Sequence, residues 1–364
     1  MQKNSSYFRA GFFLEGVLFL LFIQGAGGNG VCNNHEHQSC DRDSGTRVMG
    51  STADELLRDR TILMVLGAMK AGTMSLWRSL KKHPEICTTH KEQHYYDTSF
   101  NKRTRMNYLC HMNGCCAGMP GDVDSEWAQV CSKECSVLLD ATPSYLYNAL
   151  VPGRVSRDFS GRRVKFVVLL REPVERCMSH WFFVSMNRCL PGAGAHHVYK
   201  EILDIAKCMP IIKAFSSQAS RSVLINMTNY SNCIDFDANL QDQLGFTRVV
   251  YKSLYAPQLR HWFAHFPTAE RDKQFLVLKS EDMFASPDAV LDRITSFLGV
   301  QSFGSLGLPY PREHGHAKNA RLAAECDLSR MRAILDQFFH THPYGVSLQQ
   351  ELNRLLGTGM EWKI

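Results

Sequence analysis

The sequence predicts an α/β fold: a P-loop-like open parallel sheet flanked by helices, with cysteine-rich insertions. Three observations carry this expectation. Short apolar runs of strand length recur at residues 61–66, 164–170 and 274–278, with helical spacing between them. The first run ends in a small-residue loop that opens directly into a helix. Cysteine-bearing stretches at about 98–136 and 188–248 interrupt the alternation.

The first unit reads TILMVLGAMKAGTMSLWRSLKK over residues 61–82. An apolar strand reaches Gly67, residues 68–72 form the loop, and Thr73 is placed to cap a helix. Met74, Trp77 and Leu80 recur at about helical spacing, and His83-Pro84 ends the helix. A strand, a small-residue loop and a helix start make an anion cradle, to which Lys70 adds an ammonium. The same pattern also describes an ordinary strand–turn–helix corner. A Walker A loop is excluded, because there the lysine follows the last glycine and here Lys70 precedes Gly72.

Residues 85–88 read as a second strand and lead into Lys91-Glu92-Gln93-His94-Tyr95-Tyr96-Asp97. In extended backbone Glu92 and His94 share one face. Aromatic neighbours are expected to exclude water and raise the Glu92 carboxyl toward a useful base. The alternative is a charged strand end with its aromatics packed inward. A short strand at 137–139 precedes Asp140-Ala-Thr-Pro-Ser-Tyr145, at the sheet edge where open α/β folds bind ligands.

Residues 164–170, VKFVVLL, form the clearest buried strand and run into Arg171-Glu172-Pro173 and a helix from 174 to about 187. Arg171 at the strand exit and Ser179 two turns on can meet one phosphate; an Arg171–Glu172 surface ion pair is the plainer reading. Residues 188–248 read as an insertion, either shaping an acceptor site or decorative. Leu259, Trp262, Phe263 and Phe266 mark the core face of a helix over 254–266. Glu281-Asp282 precedes a helix over 287–298; such a pair is an acid/base couple or, more plainly, a helix cap. His314 and His316 lie in a polar loop with Lys318; without a third ligand a metal site is not expected there.

Composition bounds the class. The 364 residues are 45% hydrophobic and 21% charged, which suits a sizeable core, and no internal repeat is present. The net charge of +6 suits an anionic ligand without singling out nucleic acid. Lys3 and Arg9 precede an apolar run over 10–23, followed by Gly25-Ala26-Gly27. This is the layout of a signal peptide or a signal-anchor over 1–27, with a polar stem over 28–60 before a domain at 61–364. The 13 cysteines agree with an oxidising compartment. Cys32 and Cys40 follow the leader, Cys110, Cys115, Cys116, Cys131 and Cys135 cluster, and Cys177, Cys189, Cys208 and Cys233 come later. Disulfides are expected rather than a metal, and the odd total leaves at least one thiol free or paired between chains. Sequons at Asn226 and Asn229 fit a glycosylated lumenal loop.

Taken in order, these pieces resemble the Golgi carbohydrate sulfotransferases, over roughly residues 61–355. The likeness is to the heparan sulfate O-sulfotransferases and, over 254–298, to chondroitin GalNAc-4-sulfate 6-O-sulfotransferase. Lys70-Ala-Gly-Thr73 matches that family's 5′-phosphosulfate loop, and Arg171 through Ser179 its 3′-phosphate motif. Lys91–Asp97 resembles the segment bearing the catalytic glutamate, and Thr142-Pro-Ser-Tyr145 a substrate-side segment. The family's Lys-Gly loop has only Lys318, in HGHAKNA, as its counterpart.

The resemblance implies 3′-phosphoadenosine 5′-phosphosulfate (PAPS) as donor, no metal, and a glycan acceptor such as heparan, chondroitin or dermatan sulfate. It implies donor contacts at Lys70, Ala71, Gly72, Thr73, Met74, Arg171, Ser179 and Lys318. Glu92 is then the base, Lys70 the stabiliser of the leaving phosphate, and His94 orients the acceptor or shares the base role. The compartment implied is the Golgi lumen, membrane-anchored or secreted. A protein-tyrosine sulfotransferase, a non-catalytic binding protein on the same fold and a nucleotide kinase are the rival readings.

Overall fold

A computed structural model describes residues 57–88, 91–100, 135–184, 193–217, 248–266, 268–308 and 328–357, together with Arg105, Tyr108, Leu109, Met112, Met360 and Trp362. The leader, most of the stem, Lys318 with its histidine loop, both sequons and most of the cysteines lie outside the described residues.

The apolar runs become strands because almost every side chain in them is driven out of water. Strand β1 (Thr61–Gly67) is buried along its whole length, and β4 (Val164–Leu170) at every position but Lys165. Each fully buried aliphatic side chain stabilises by roughly 1.5–3 kcal/mol, so these two strands anchor the domain. Strands β2 (Ile86–Cys87), β3 (Val137–Asp140) and β5 (Phe275–Lys279) complete a parallel sheet in the order β2-β3-β1-β4-β5. The chain leaves β1 toward β2 and β3 on one side and later returns to β4 on the other. The ends of β1, β3 and β4 therefore flank the point where the winding reverses, the place such sheets bind ligands.

Helix α1 (Thr73–Leu80) follows β1. Its buried face is Thr73, Leu76, Ser79 and Leu80, with Trp77 packed against the core, while Met74 is 42% exposed. Gly72, not Thr73, is the capping residue, at φ 91°. After β3 come a helical turn at Pro143–Tyr145 and helix α2 (Val151–Asp158). Helix α3 (Pro173–Val184) follows β4, and its expected end near 187 lies outside the described residues. Helix α4 (Ala193–Ser217) opens the second insertion.

A turn at Tyr251–Ser253 leads into α5 (Tyr255–Ala264), which buries Leu259 and Trp262 as expected, with Phe266 beyond it. Helix α6 (Thr268–Gln274) precedes β5, and the short α7 (Ser280–Ala285) absorbs Glu281 and Asp282. Helix α8 (Pro287–Leu298) is as expected. The last pair is α9 (Ser329–Asp336), extended by a wider turn at Gln337–Thr341, and α10 (Pro343–Leu356).

Two apolar clusters result. One fills the sheet and already includes Leu57, so packing begins ahead of Thr61. The other joins α3, α4, residues 249–254 and α9 through Cys177, Val198, Tyr251, Met331 and Leu335. Cys87 and Cys135 form a disulfide that ties β2 to the entry of β3, and Cys177 is a buried free thiol. Among the described residues no helix is long and apolar enough to cross a membrane.

Candidate active site

The loop after β1 is shaped by close packing. A Cβ on Gly67 would lie 2.8 Å from the Pro143 carbonyl and 2.9 Å from Leu146 Cβ, so only glycine lets the chain pass there. Lys70 at φ 71° and Gly72 at φ 91° then turn the backbone left-handed into α1. Three successive carbonyls are each taken by a side-chain donor from a different place. Arg176 Nη1 donates to Met69 O at 3.4 Å, Arg171 Nη1 to Lys70 O at 3.2 Å, and Ser280 Oγ to Ala71 O at 2.7 Å. With its carbonyls occupied and α1 lacking any side-chain cap, the loop leaves its first-turn amides to an anion.

The charges agree. Burial pushes the Lys70 ammonium pKa down, and Arg171, Lys91 and Arg176 push it further, with only Glu92 opposing. Its Nζ rests 4.5 Å from the centroid of the Phe183 ring. Arg171 is the strand-exit arginine the sequence singled out, and Glu175 Oε2 lies 3.8 Å from its Nη2. It makes no ion pair with Glu172, whose carboxylate instead accepts from the amides of Val174 and Glu175 at the start of α3. Ser179 is buried on α3 and its hydroxyl makes no hydrogen bond among the described residues. Glu281 is a structural tie, accepting from the Glu172 amide and from Trp362 Nε1, each at 2.9 Å.

Segment 91–97 departs from the expected extended strand. Glu92 at φ 66° and His94 at φ 51° are both left-handed, so their approach comes from a folded turn rather than a shared strand face. The exit of β3 holds this turn. Ala141 O accepts from Glu92 N at 3.2 Å, and Thr142 Oγ1 from His94 N at 3.5 Å. Tyr145 Oη accepts from the amides of Tyr95 and Tyr96 at 3.0 and 3.3 Å. Behind them Asp140, wholly buried, accepts from Thr142 Oγ1 at 2.6 Å and Tyr108 Oη at 2.8 Å.

The side chains form a chain of alternating charge. Lys91 Nζ contacts Glu92 Oε1, His94 Nε2 stands 3.4 Å from Glu92 Oε2, and His94 Nδ1 is 2.9 Å from Asp97 Oδ2, which also accepts from Ser144 Oγ. Burial raises the Glu92 carboxyl, but the His94 hydrogen bond and Lys91 outweigh it and hold the pKa down at about 2. The expectation of a raised pKa is therefore corrected: its neighbours are cations, not only aromatic rings. Burial lowers His94, yet the bonds to Asp97 and Glu92 carry it up to about 10. A pKa there keeps the imidazole protonated at neutral pH, a cation between the Glu92 and Asp97 carboxylates.

Sequence reasoning missed Asp97, Arg176, Ser253 and Ser280. Asp97 and Arg176 lay inside motifs already singled out; Ser253 and Ser280 carry no local signal. Lys318 lies outside the described residues.

Residues 60–307 match the sulfotransferase domain family, well over half of the chain. The chain belongs to that family. Human heparan sulfate glucosamine 3-O-sulfotransferase 3B1 is 24% identical over 238 residues, covering 65% of this chain and 46% of that protein. The membrane-associated sulfotransferase kil1 of Dictyostelium discoideum is 25% identical over 283 residues, 65% of this chain and 55% of that protein. The chain thus spans about half the length of the curated relatives it matches. A solved sulfotransferase from Alicyclobacillus acidocaldarius is 20% identical, with 76% of this chain and 96% of that one aligned at a TM-score of 0.39. Among the described residues no group of three or more histidine, cysteine or acidic side chains is placed to hold a metal.

Proposed function

We propose that this sulfotransferase moves a sulfuryl group from PAPS to a hydroxyl of an anionic polysaccharide, a glycosaminoglycan of the heparan or chondroitin/dermatan type. The observation that carries it is the pairing of two sites at one sheet edge. A loop ringed by Lys70, Arg171 and Arg176 lies close enough to Glu92 for that ionised carboxylate to act on the Lys70 ammonium.

The residues present fit the donor. Cationic side chains and helix-start amides suit a phosphosulfate, and Arg171 with the Ser179 hydroxyl suits a second phosphate along α3. When bound, PAPS supplies an activated sulfuryl group on a phosphate leaving group. Glu92 takes the proton of the acceptor hydroxyl as that oxygen bonds to sulfur, and His94 with Lys91 fixes the carboxylate's direction. Lys70 and the loop amides counter the charge that develops on the phosphate. Heparan-acting relatives motivate the polysaccharide acceptor, and the net charge of +6 suits it. The N-terminal apolar run and the cysteine content support a place in the secretory pathway, at the Golgi lumen, behind a leader or single anchor.

The test is sulfate incorporation by the full-length protein from PAPS into heparan, chondroitin and dermatan sulfates and an acidic tyrosine peptide, with 3′-phosphoadenosine 5′-phosphate and ATP binding measured alongside. Incorporation into one glycan, with the bisphosphate preferred to ATP without Mg²⁺, is expected. Transfer to the peptide alone would replace the acceptor, and failure to bind the bisphosphate would overturn the proposal.

A further inference from the structure

Arg176 is fully buried, yet among the described residues no carboxylate stands within ion-pair distance of it. A fully buried arginine is almost always paired, because an uncompensated charge away from water is expensive. Here the guanidinium spends its donors on neutral acceptors in three directions. Nε reaches Ser253 Oγ, Nη2 reaches Val249 O and, at 3.7 Å, Cys177 Sγ, and Nη1 reaches Met69 O at 3.4 Å. Met69 adjoins Lys70, whereas Val249 and Ser253 belong to the segment leaving the second insertion.

That segment is pinned from the far side. Glu201 of α4, half-buried, accepts from the amides of Val250 at 3.0 Å and Tyr251 at 2.8 Å. Burial pushes the Glu201 carboxyl up, against the pull of those two amides, Arg176 and Lys252. Ser253 Oγ in turn lies 3.3 Å from the Pro173 carbonyl at the start of α3. One continuous path therefore runs from α4 through residues 249–253 and Arg176 to the loop that carries Lys70.

We infer that Arg176 is a positioning residue for the donor loop, a buried cationic fork that fastens the Met69 carbonyl to the 249–253 segment and couples the insertion to the anion seat. This rests on the reading of that loop as the PAPS seat. Its charge, with no carboxylate at ion-pair distance among the described residues, adds to the positive field behind Lys70, and only a planar fork spans the three directions; a lysine keeps the charge and loses the geometry.

The first test needs no nucleotide. Hydrogen exchange on the full-length protein should run about tenfold to a hundredfold faster in peptides covering residues 67–73 of Arg176→Met, the loss expected for a charged hydrogen bond, while β1 and β4 stay protected. The Lys70 amine, followed by pH-dependent acylation, should titrate higher in Arg176→Met and near the wild-type range in Arg176→Lys. The donor KM should rise while the glycan KM holds. If Arg176→Met does not fold, Arg176→Lys decides: loop exchange must still quicken. Loop exchange and Lys70 titration equal to wild type would overturn the inference. A loosened loop in a protein that never bound 3′-phosphoadenosine 5′-phosphate would support Arg176 as the fastener while removing the PAPS reading.

Discussion

Around the 68–72 loop, donors reach in from α3, the β4 exit and α7 to take the carbonyls of Met69, Lys70 and Ala71. Along 91–97 the charged side chains satisfy one another, in the order Lys91, Glu92, His94, Asp97. The first region binds its backbone with cations and a hydroxyl and gathers more positive than negative charge, with Glu175 beside Arg171 and Glu92 acting on Lys70. The second balances its charges internally and leaves its backbone to be held by Ala141, Thr142 and Tyr145. The difference separates two tasks. On the proposed reading, the first region seats an anion by fixing amides among cations, and the second prepares a proton acceptor by fixing one carboxylate's ionisation and direction.

The sharpest way to break this comparison is Glu92→Gln, which removes the charge of the proposed proton acceptor and takes from the anion seat only that carboxylate's pull on the Lys70 ammonium. Turnover should fall by about 10²–10⁴, the usual contribution of a positioned base, with affinity for 3′-phosphoadenosine 5′-phosphate unchanged. Loss of nucleotide affinity in step with turnover would mean that the two regions are one site energetically.

The same division explains what was legible beforehand. Continuous buried strands announce themselves, so β1, β4 and β5 were found within a residue or two at their ends, and Lys70, Glu92 and Arg171 stood out as charges at strand exits. Side chains whose partners are distant in sequence left little trace. Arg176 meets Val249 and Ser253 more than 70 residues on, and Ser280 meets Ala71 at a separation of 209. The Glu92 pKa departs from the expected direction for a related reason. Period-two reasoning assumes extended backbone, and left-handed turns at Glu92 and His94 brought the imidazole onto the carboxylate instead. In helix α1, helical spacing alone does not single out the inward face: Met74 shares that spacing with Leu80 yet is exposed, and Leu76 is buried.

A smaller effect should come from the covalent tie beneath the second region. Segment 91–97 hangs from β2, an edge strand of two residues, and the Cys87–Cys135 disulfide closes a sequence separation of 48. Replacing both cysteines by serine should cost about 2–4 kcal/mol of stability, read as a lower denaturant midpoint. Proteolysis should begin near residues 88–91 while the 68–72 loop keeps its protection. Equal loosening of both loops would show that the edge strand supports the anion seat as well.

The smallest effect is a change in pH profile, and it tests the charge chain itself. His94 sits at about 10, above its ordinary 6.5, so the stability it draws from Asp97 and Glu92 is complete below 6.5 and lost as the pH rises through 10. Glu92 runs the other way: held at about 2 against an ordinary 4.5, its contribution is present above 4.5 and lost as the pH falls through 2. Between those limits the pair keeps one charge pattern, and turnover should be flat. Asp97→Asn removes the negative partner on His94 Nδ1 but keeps a side chain able to accept a hydrogen bond there. The imidazole should then lose its proton nearer its ordinary range, and turnover should decline through mildly alkaline pH, by about tenfold per unit of lost protonation. Donor KM should not move, because Asp97 bonds to His94, Ser144 and the Thr98 amide and to nothing in the 68–72 loop. A flat profile in Asp97→Asn would mean that Lys91 alone holds Glu92 in place and that the imidazole is a bystander.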